Sequence, residues 1–207
     1  MIDPAPGPLE KLVKAGAGVY KQQCLVCHGA EGKGDGPAAQ VLGTPPRNFT
    51  RGQYKFKTSV PDEMPFDEDL YRTISAGISA AGMPSFGDLT PFERWAMVAY
   101  VKSLSGFVDT DDGARYNYFE LYPAKTKMSL PAPPDKGAID FARGAHLYRE
   151  KVQCLKCHGD NGVGDGPSAA SLVDADGRTI KPADLTRGEI TFKAGDRVED
   201  IYRVLLT

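Results

Sequence analysis

The sequence predicts an all-α chain built from two tandem copies of one small helical domain, the second cut short after its third helix. Three observations carry this. The stretch CLVCHGAEGKGDGPAA, starting at Cys24, returns nearly unchanged as CLKCHGDNGVGDGPSAA, starting at Cys154. The likeness runs into both flanks: GAGVYKQQC faces GAHLYREKVQC, RNFTRGQYKFK (47–57) faces ADLTRGEITFK (183–193), and DLYRTISA (69–76) faces DIYRVLLT (200–207). Around the motifs, apolar residues recur at helical rather than alternating spacing, and 23 glycines with 16 prolines require short elements joined by loops.

Residues 9–22 place Leu9, Leu12, Val13, Gly16 and Tyr20 on one stripe of a first helix. Asp67 is the expected N-cap of a later helix, with Leu70 and Ile74 as an i, i+4 apolar pair and Gly77 as its stop. TPFE at 90–93 spells a capping box, with Thr90 as cap, Pro91 at the first position and Glu93 at the third; the helix it starts runs to about Leu104. Residues 105–137 read as an ordered strap ending in a stiff Pro-rich linker, and its aromatics Tyr116, Tyr118, Phe119 and Tyr122 are expected to pack between domains. In the second copy, 139–151 and 196–206 match the first and third helices, with Asp196 and Glu199 opening the latter. The domain reading is 1–104, a linker over 105–137, and 138–207.

With 41% hydrophobic residues the chain can bury cores, and a net charge of −2 offers no basic face for nucleic acid. The longest apolar run, FERWAMVAYVKSL, is too short and too charged to span a bilayer. MIDPAPGPLEK lacks the basic start and apolar stretch of an export signal, so the protein is either cytosolic or a form from which such a signal has been removed.

All four cysteines lie in the two CxxCH motifs. A zinc site is the first alternative, but zinc ribbons space their pairs by about 15–20 residues, and the histidine after each pair would have no task. A thioredoxin-like redox pair needs a βαβ context that is missing. The reading with a mechanism is haem attachment. Two thiols add across the vinyl groups of a haem, two intervening residues set the sulfurs at the vinyl separation, and the adjacent histidine binds iron from below. Cys24, Cys27 and His28 then hold one haem, and Cys154, Cys157 and His158 a second, for two covalently bound haem c groups. Met83, in the loop AGMPSFGDL, is the candidate for the opposite face of the first iron. A thioether is a soft neutral ligand that favours reduced iron, and Pro84 stiffens the loop that presents it. The metal ligands proposed are thus His28, Met83 and His158. Met97, mid-helix beside Trp95 and Tyr100, reads as core, and Met64 and Met128 have no evident role.

These motifs, Gly16-x-x-x-Tyr20 before CxxCH, Gly-Pro after it, a Met-Pro loop and the aromatic helix WAMVAYVKSL, resemble class I cytochrome c in a tandem dihaem form. The resemblance covers nearly all of 9–104 and the front of 138–207. It implies that the first and last helices cross at Gly16, Tyr20, Trp95 and Tyr100. It implies that Pro37 and Pro167 offer a carbonyl to the Nδ1–H of the haem histidines. It implies that Arg47, and in the second copy Arg178 or Lys181, pairs with haem propionates. The second copy departs from the family, because the counterparts of the Met loop and last helix fall beyond Thr207. Three readings stay open: a truncated chain, an open or water-bound second iron, or another ligand such as His146 or Met128.

The function implied is a dihaem electron carrier working between redox partner proteins, a larger oxidoreductase complex among them. The alternative is a peroxidase-like haem enzyme or gas sensor with an open position at the second haem. Attachment of this kind, as the resemblance implies, takes place outside the cytoplasm, so a periplasmic location is expected.

Overall fold

The computed structural model of the chain describes residues 5–188, 192–193 and 197–206. The chain divides into two compact units, Met1–Ser129 with Arg203–Thr207, and Leu130–Tyr202.

In the first unit, α1 (Leu9–Gln23) starts after Pro8, which is already extended, and carries Glu10 in its first turn, where the helix dipole favours an acid. A one-turn helix, α2 (Leu25–His28), follows. Then come α3 (Asp67–Ala76) and α4 (Pro91–Leu104). α4 starts as expected: Thr90 Oγ1 accepts from the Glu93 amide, and Glu93 Oε2 accepts from the Thr90 amide at 2.9 Å. α3 starts one residue earlier than expected, with Phe66 as cap. Asp69, not Asp67, satisfies the helix entry, taking the Phe66 amide at 3.1 Å and the Thr58 amide at 2.8 Å.

The core forms where α1 crosses α4. A Cβ on Gly16 would overlap the Ala96 carbonyl oxygen and crowd Tyr100 Cβ, so only glycine lets the two backbones approach this closely. Tyr20 meets Tyr100 with ring centroids 5.0 Å apart, and Trp95 meets Tyr71 of α3 at 4.7 Å. Leu12, Met97 and Val98 are buried, each worth about 1.5–3 kcal/mol of transfer free energy. Leu9, expected on the same stripe, is exposed at the open end of α1.

The strap departs from the all-α expectation. β1 (Gly106–Val108) pairs antiparallel with β2 (Arg115–Asn117), with Phe107 opposite Tyr116, and a short helix α5 (Tyr118–Leu121) is capped by Asn117. Three of its four expected aromatics pack within the first unit, and Tyr122 is exposed. Tyr116 and Tyr118 lie 5.5 and 5.6 Å from Phe107, and Phe119 lies 5.7 Å from Tyr54. Further along, Glu63 Oε2 accepts the amides of Lys125 and Thr126, and the Met64 amide donates to the Tyr122 carbonyl. Residues 118–128 are therefore stitched to the loop 58–64.

In the second unit, α6 (Phe141–His146) is capped by Asp140, whose Oδ1 accepts the Arg143 amide at 2.8 Å. Where one helix over 139–151 was expected, α6 passes into a wider π turn at Leu147–Lys151. The cause is legible in the alignment. Tyr20 and Cys24 are separated by three residues, Tyr148 and Cys154 by five. The extra residues are absorbed by the π turn and by Gln153, the non-glycine residue with positive φ (61°) among those described. α7 (Leu155–His158) repeats α2, and α8 (Val198–Leu206), which belongs to this unit as far as Tyr202, takes the place of the helix expected over 196–206; Asp196 lies outside the described residues.

Candidate functional site

Both CxxCH motifs fold as a single helical turn closed by the same loop. The His28 amide donates to the Cys24 carbonyl at 2.9 Å and the His158 amide to the Cys154 carbonyl at 2.8 Å. The glycine-rich segment then folds back onto the carbonyls that this turn leaves free. Gly34, Gly36 and Ala38 donate to His28, Cys27 and Val26; Gly164, Gly166 and Ser168 donate to His158, Cys157 and Lys156. Gly29 and Gly159 sit at φ 77° and 78°, each under an aspartate carboxylate (Asp35, Asp165) that occupies the space of a Cβ. The preceding helix is tied in by one hydroxyl in each copy: Tyr20 Oη donates to the Gly29 carbonyl at 2.7 Å, and Tyr148 Oη to the Gly159 carbonyl at 2.6 Å.

The histidine rings are held from their Nδ1 side. His28 Nδ1 lies 3.0 Å from the Arg47 carbonyl and His158 Nδ1 lies 2.9 Å from the Ala183 carbonyl. This corrects the expectation for Pro37 and Pro167. Both prolines are exposed, at the point where the glycine loop turns away from the helix, and the carbonyl comes instead from the strand of chain that passes beneath the ring. Because a carbonyl oxygen only accepts, each Nδ1 carries the hydrogen, and in the neutral tautomer that this bond selects, the lone pair lies on Nε2. Burial lowers the His28 pKa below the ordinary histidine value and the Arg47 charge lowers it further; the carbonyl bond opposes both. The ring is thus a neutral donor. Phe49 stacks on it with centroids 4.5 Å apart and planes 20° from parallel.

None of the four cysteines is paired in a disulfide. Burial, and then the neighbouring Cys27, push the Cys24 thiol up to about 11. That is the reverse of the lowered value of a thioredoxin-like nucleophile. Among the described residues no three His, Cys, Asp or Glu side chains are grouped to hold a metal ion.

Met83 stands on a separate loop after α3. Its amide and carbonyl both bond to Ile78, closing a tight turn through Gly82, and Gly77 presses so closely on the Pro84 carbonyl that a side chain there would overlap it. The backbone of Met83 is therefore fixed in a loop, outside the helical core that holds Met97. Arg47 is half-buried beneath His28. Arg178 lies within its own loop, 2.8 Å from Asp174 and 3.2 Å from Asp176. His146 is exposed at the end of α6, and the Met128 amide donates to the Thr58 carbonyl of the first unit.

The family model for cytochrome c oxidase, cbb3-type, subunit III, matches residues 11–101. Among solved structures, a chain of the Kuenenia stuttgartiensis reducing HAO-like protein complex Kustc0457/Kustc0458 is 39% identical with a TM-score of 0.78. The match covers 92% of this chain and 80% of that one. The chain belongs to the class I c-type cytochromes. No curated protein matches this cytochrome. Its family implies covalently bound haem c, and the residues fit: two thiols one turn apart, and a neutral imidazole whose Nε2 is left free by the carbonyl on Nδ1. Among the described residues, no helix of the cytochrome is long and apolar enough to cross a membrane.

Three contributors to the site escaped sequence reasoning: the Arg47 and Ala183 carbonyls, and Phe49. A backbone carbonyl leaves no mark on residue type, so arginine and alanine serve equally. The signal present was positional, since the repeat alignment sets Arg47 opposite Ala183.

Proposed function

We propose that this cytochrome is a dihaem electron carrier. Cys24, Cys27 and His28 would hold the first haem, with Met83 as a further ligand to its iron, and Cys154, Cys157 and His158 would hold the second. The observation that carries this is the duplicated histidine geometry. Two copies with different flanking residues build the same turn, the same glycine loop and the same Nδ1–carbonyl bond. When bound, each haem supplies a one-electron couple. The chain's part is to anchor it through the thioethers, to keep the imidazole neutral and fixed in rotation, and to offer Arg47 toward a propionate. An exported, periplasmic setting follows from the attachment chemistry.

The similar Kuenenia chain belongs to a protein complex and its match reaches into both units, which supports a redox partner protein or a larger oxidoreductase complex as the setting of this chain.

The test is haem stoichiometry by alkaline pyridine spectrum together with intact mass. Two haems per chain are expected; one haem, or none, overturns the dihaem reading.

A further inference from the structure

The two copies differ in the segment that passes beneath the haem histidine. The segments beneath both rings run in the same frame: the Phe49 amide donates to the Gly32 carbonyl at 2.7 Å, and the Leu185 amide donates to the Gly162 carbonyl at 2.7 Å. The side chains on that frame are not alike. Phe49 lies flat against the His28 ring. Its counterpart Leu185 has no flat face to offer and is 37% exposed.

Phe49 is also held. Its own carbonyl accepts from Ser105 Oγ at 2.8 Å, and Ser105 Oγ in turn lies 2.8 Å from Tyr54 Oη. Tyr54 stacks parallel to Phe49 at 6.5 Å and is backed edge-on by Phe119 of α5. The ring on His28 is therefore the first of three aromatics, buttressed by the end of α4 and by the strap. The strap has no evident reason to be aromatic for connection alone; here its Phe119 closes the column that ends on His28.

We propose that Phe49, backed by Tyr54 and Phe119, is a positioning residue that makes the first haem electronically different from the second: it locks the rotation of the His28 ring and keeps water from its face. The inference rests on the haem-binding reading above. Two consequences follow from elementary chemistry. A dry, apolar flank disfavours the more positive ferric state, so Phe49 raises the potential of the first haem. A clamped imidazole holds one rotational setting, so the oxidised first haem gives one narrow set of magnetic-resonance signals.

The test uses the full-length holoprotein carrying Phe49→Leu, Phe49→Ala or Leu185→Phe. Phe49→Leu installs the residue that the same frame carries in the second copy, so loss of folding is not expected. Haem stoichiometry and circular dichroism come first; absence of haem in the unsubstituted chain overturns the haem-binding reading and this proposal with it, whereas haem-loaded variants with unchanged potentials overturn this proposal alone. Redox titration and electron paramagnetic resonance follow. The first haem is identified by the signals lost on replacing Cys24 and Cys27.

Phe49→Ala is expected to lower the potential of the first haem by a tenfold change in its ferric-to-ferrous equilibrium, about 59 mV for one electron. Its resonance should broaden, and the second haem should not move. Phe49→Leu should shift the first haem the same way by less, and Leu185→Phe should raise the second. Intact, haem-loaded variants whose first-haem potential and line shape are unchanged would overturn the proposal. So would equal shifts at both haems.

Discussion

Gly16 is pressed against the Ala96 carbonyl, while Gly144, its counterpart in the second unit, has open space where a Cβ would go. The contrast extends along both helices. Leu12 and Tyr20 of α1 are buried; Phe141 and Leu147 of α6 and its π turn are exposed, and every described hydrophobic residue of the buried core belongs to the first unit. Yet the histidine turn, the glycine loop, the tyrosine tie and the Nδ1–carbonyl bond are the same in both. The lesson is that the haem-attachment motif is built from local hydrogen bonds. It is held by backbone hydrogen bonds within about thirty residues, whereas the hydrophobic core of the first unit depends on α4, which arrives from far along the chain.

That comparison can be broken most sharply at the cysteines. Replacing Cys24 and Cys27 by alanine, or Cys154 and Cys157, is expected to remove half of the bound haem in either case, read as haem per chain by pyridine spectrum. Loss of all haem from one pair alone would show that the two motifs are not independent.

Next in size are the glycines. Gly16→Ala forces α1 away from α4 and is expected to cost about 1–3 kcal/mol in denaturant unfolding, the usual range for overpacking. Gly144→Ala in this chain is expected to be neutral, or to stabilise by up to about 0.5–1 kcal/mol through helix propensity. Equal costs at the two positions would mean that α6 is as closely packed as α1.

The tyrosines should separate the units less. Tyr20→Phe removes a buried hydroxyl bond and should cost about 0.5–1.5 kcal/mol. Tyr148→Phe should cost less, since the half-exposed site lets water replace the hydroxyl. Thermal unfolding of both variants decides the ordering.

The smallest effect concerns the strap, which the first unit has and the glycine loops lack. The Lys125 and Thr126 amides hold the Glu63 carboxylate below the ordinary glutamate value. A lowered value in the folded state means that the contact contributes fully above the ordinary value and is lost as pH falls through the lower, folded one. Hydrogen exchange at the Lys125 and Thr126 amides, corrected for intrinsic rates, should therefore accelerate on acidification. Gly164 and Gly166, bonded to carbonyls, should show no such change.

Much of this was legible in the sequence because the informative groups are side chains with one local task. Thr90 and Glu93 name a helix start, Gly16 marks a close crossing, and a doubled CxxCH leaves little else for its histidines to do. What was not legible involves backbone or distance. The Arg47 and Ala183 carbonyls carry no side-chain signature, so the expectation fell on Pro37 and Pro167. The hairpin of β1 and β2 has three residues a side, too few for an alternating pattern to stand out. Asp67 gave way to Asp69 because the latter reaches both the helix entry and Thr58. Of the strap aromatics expected between domains, Tyr116, Tyr118 and Phe119 found a nearer apolar surface beside Tyr54 and Phe107, and Tyr122 is exposed.

The most direct test of the central claim is carbon monoxide binding to the dithionite-reduced holoprotein, before and after Met83→Ala. The account predicts that the first haem does not bind carbon monoxide in the unsubstituted chain, and that Met83→Ala opens it, read as one further haem per chain that binds. A chain in which the first haem binds carbon monoxide while Met83 is present, or one in which Met83→Ala changes nothing, would contradict it.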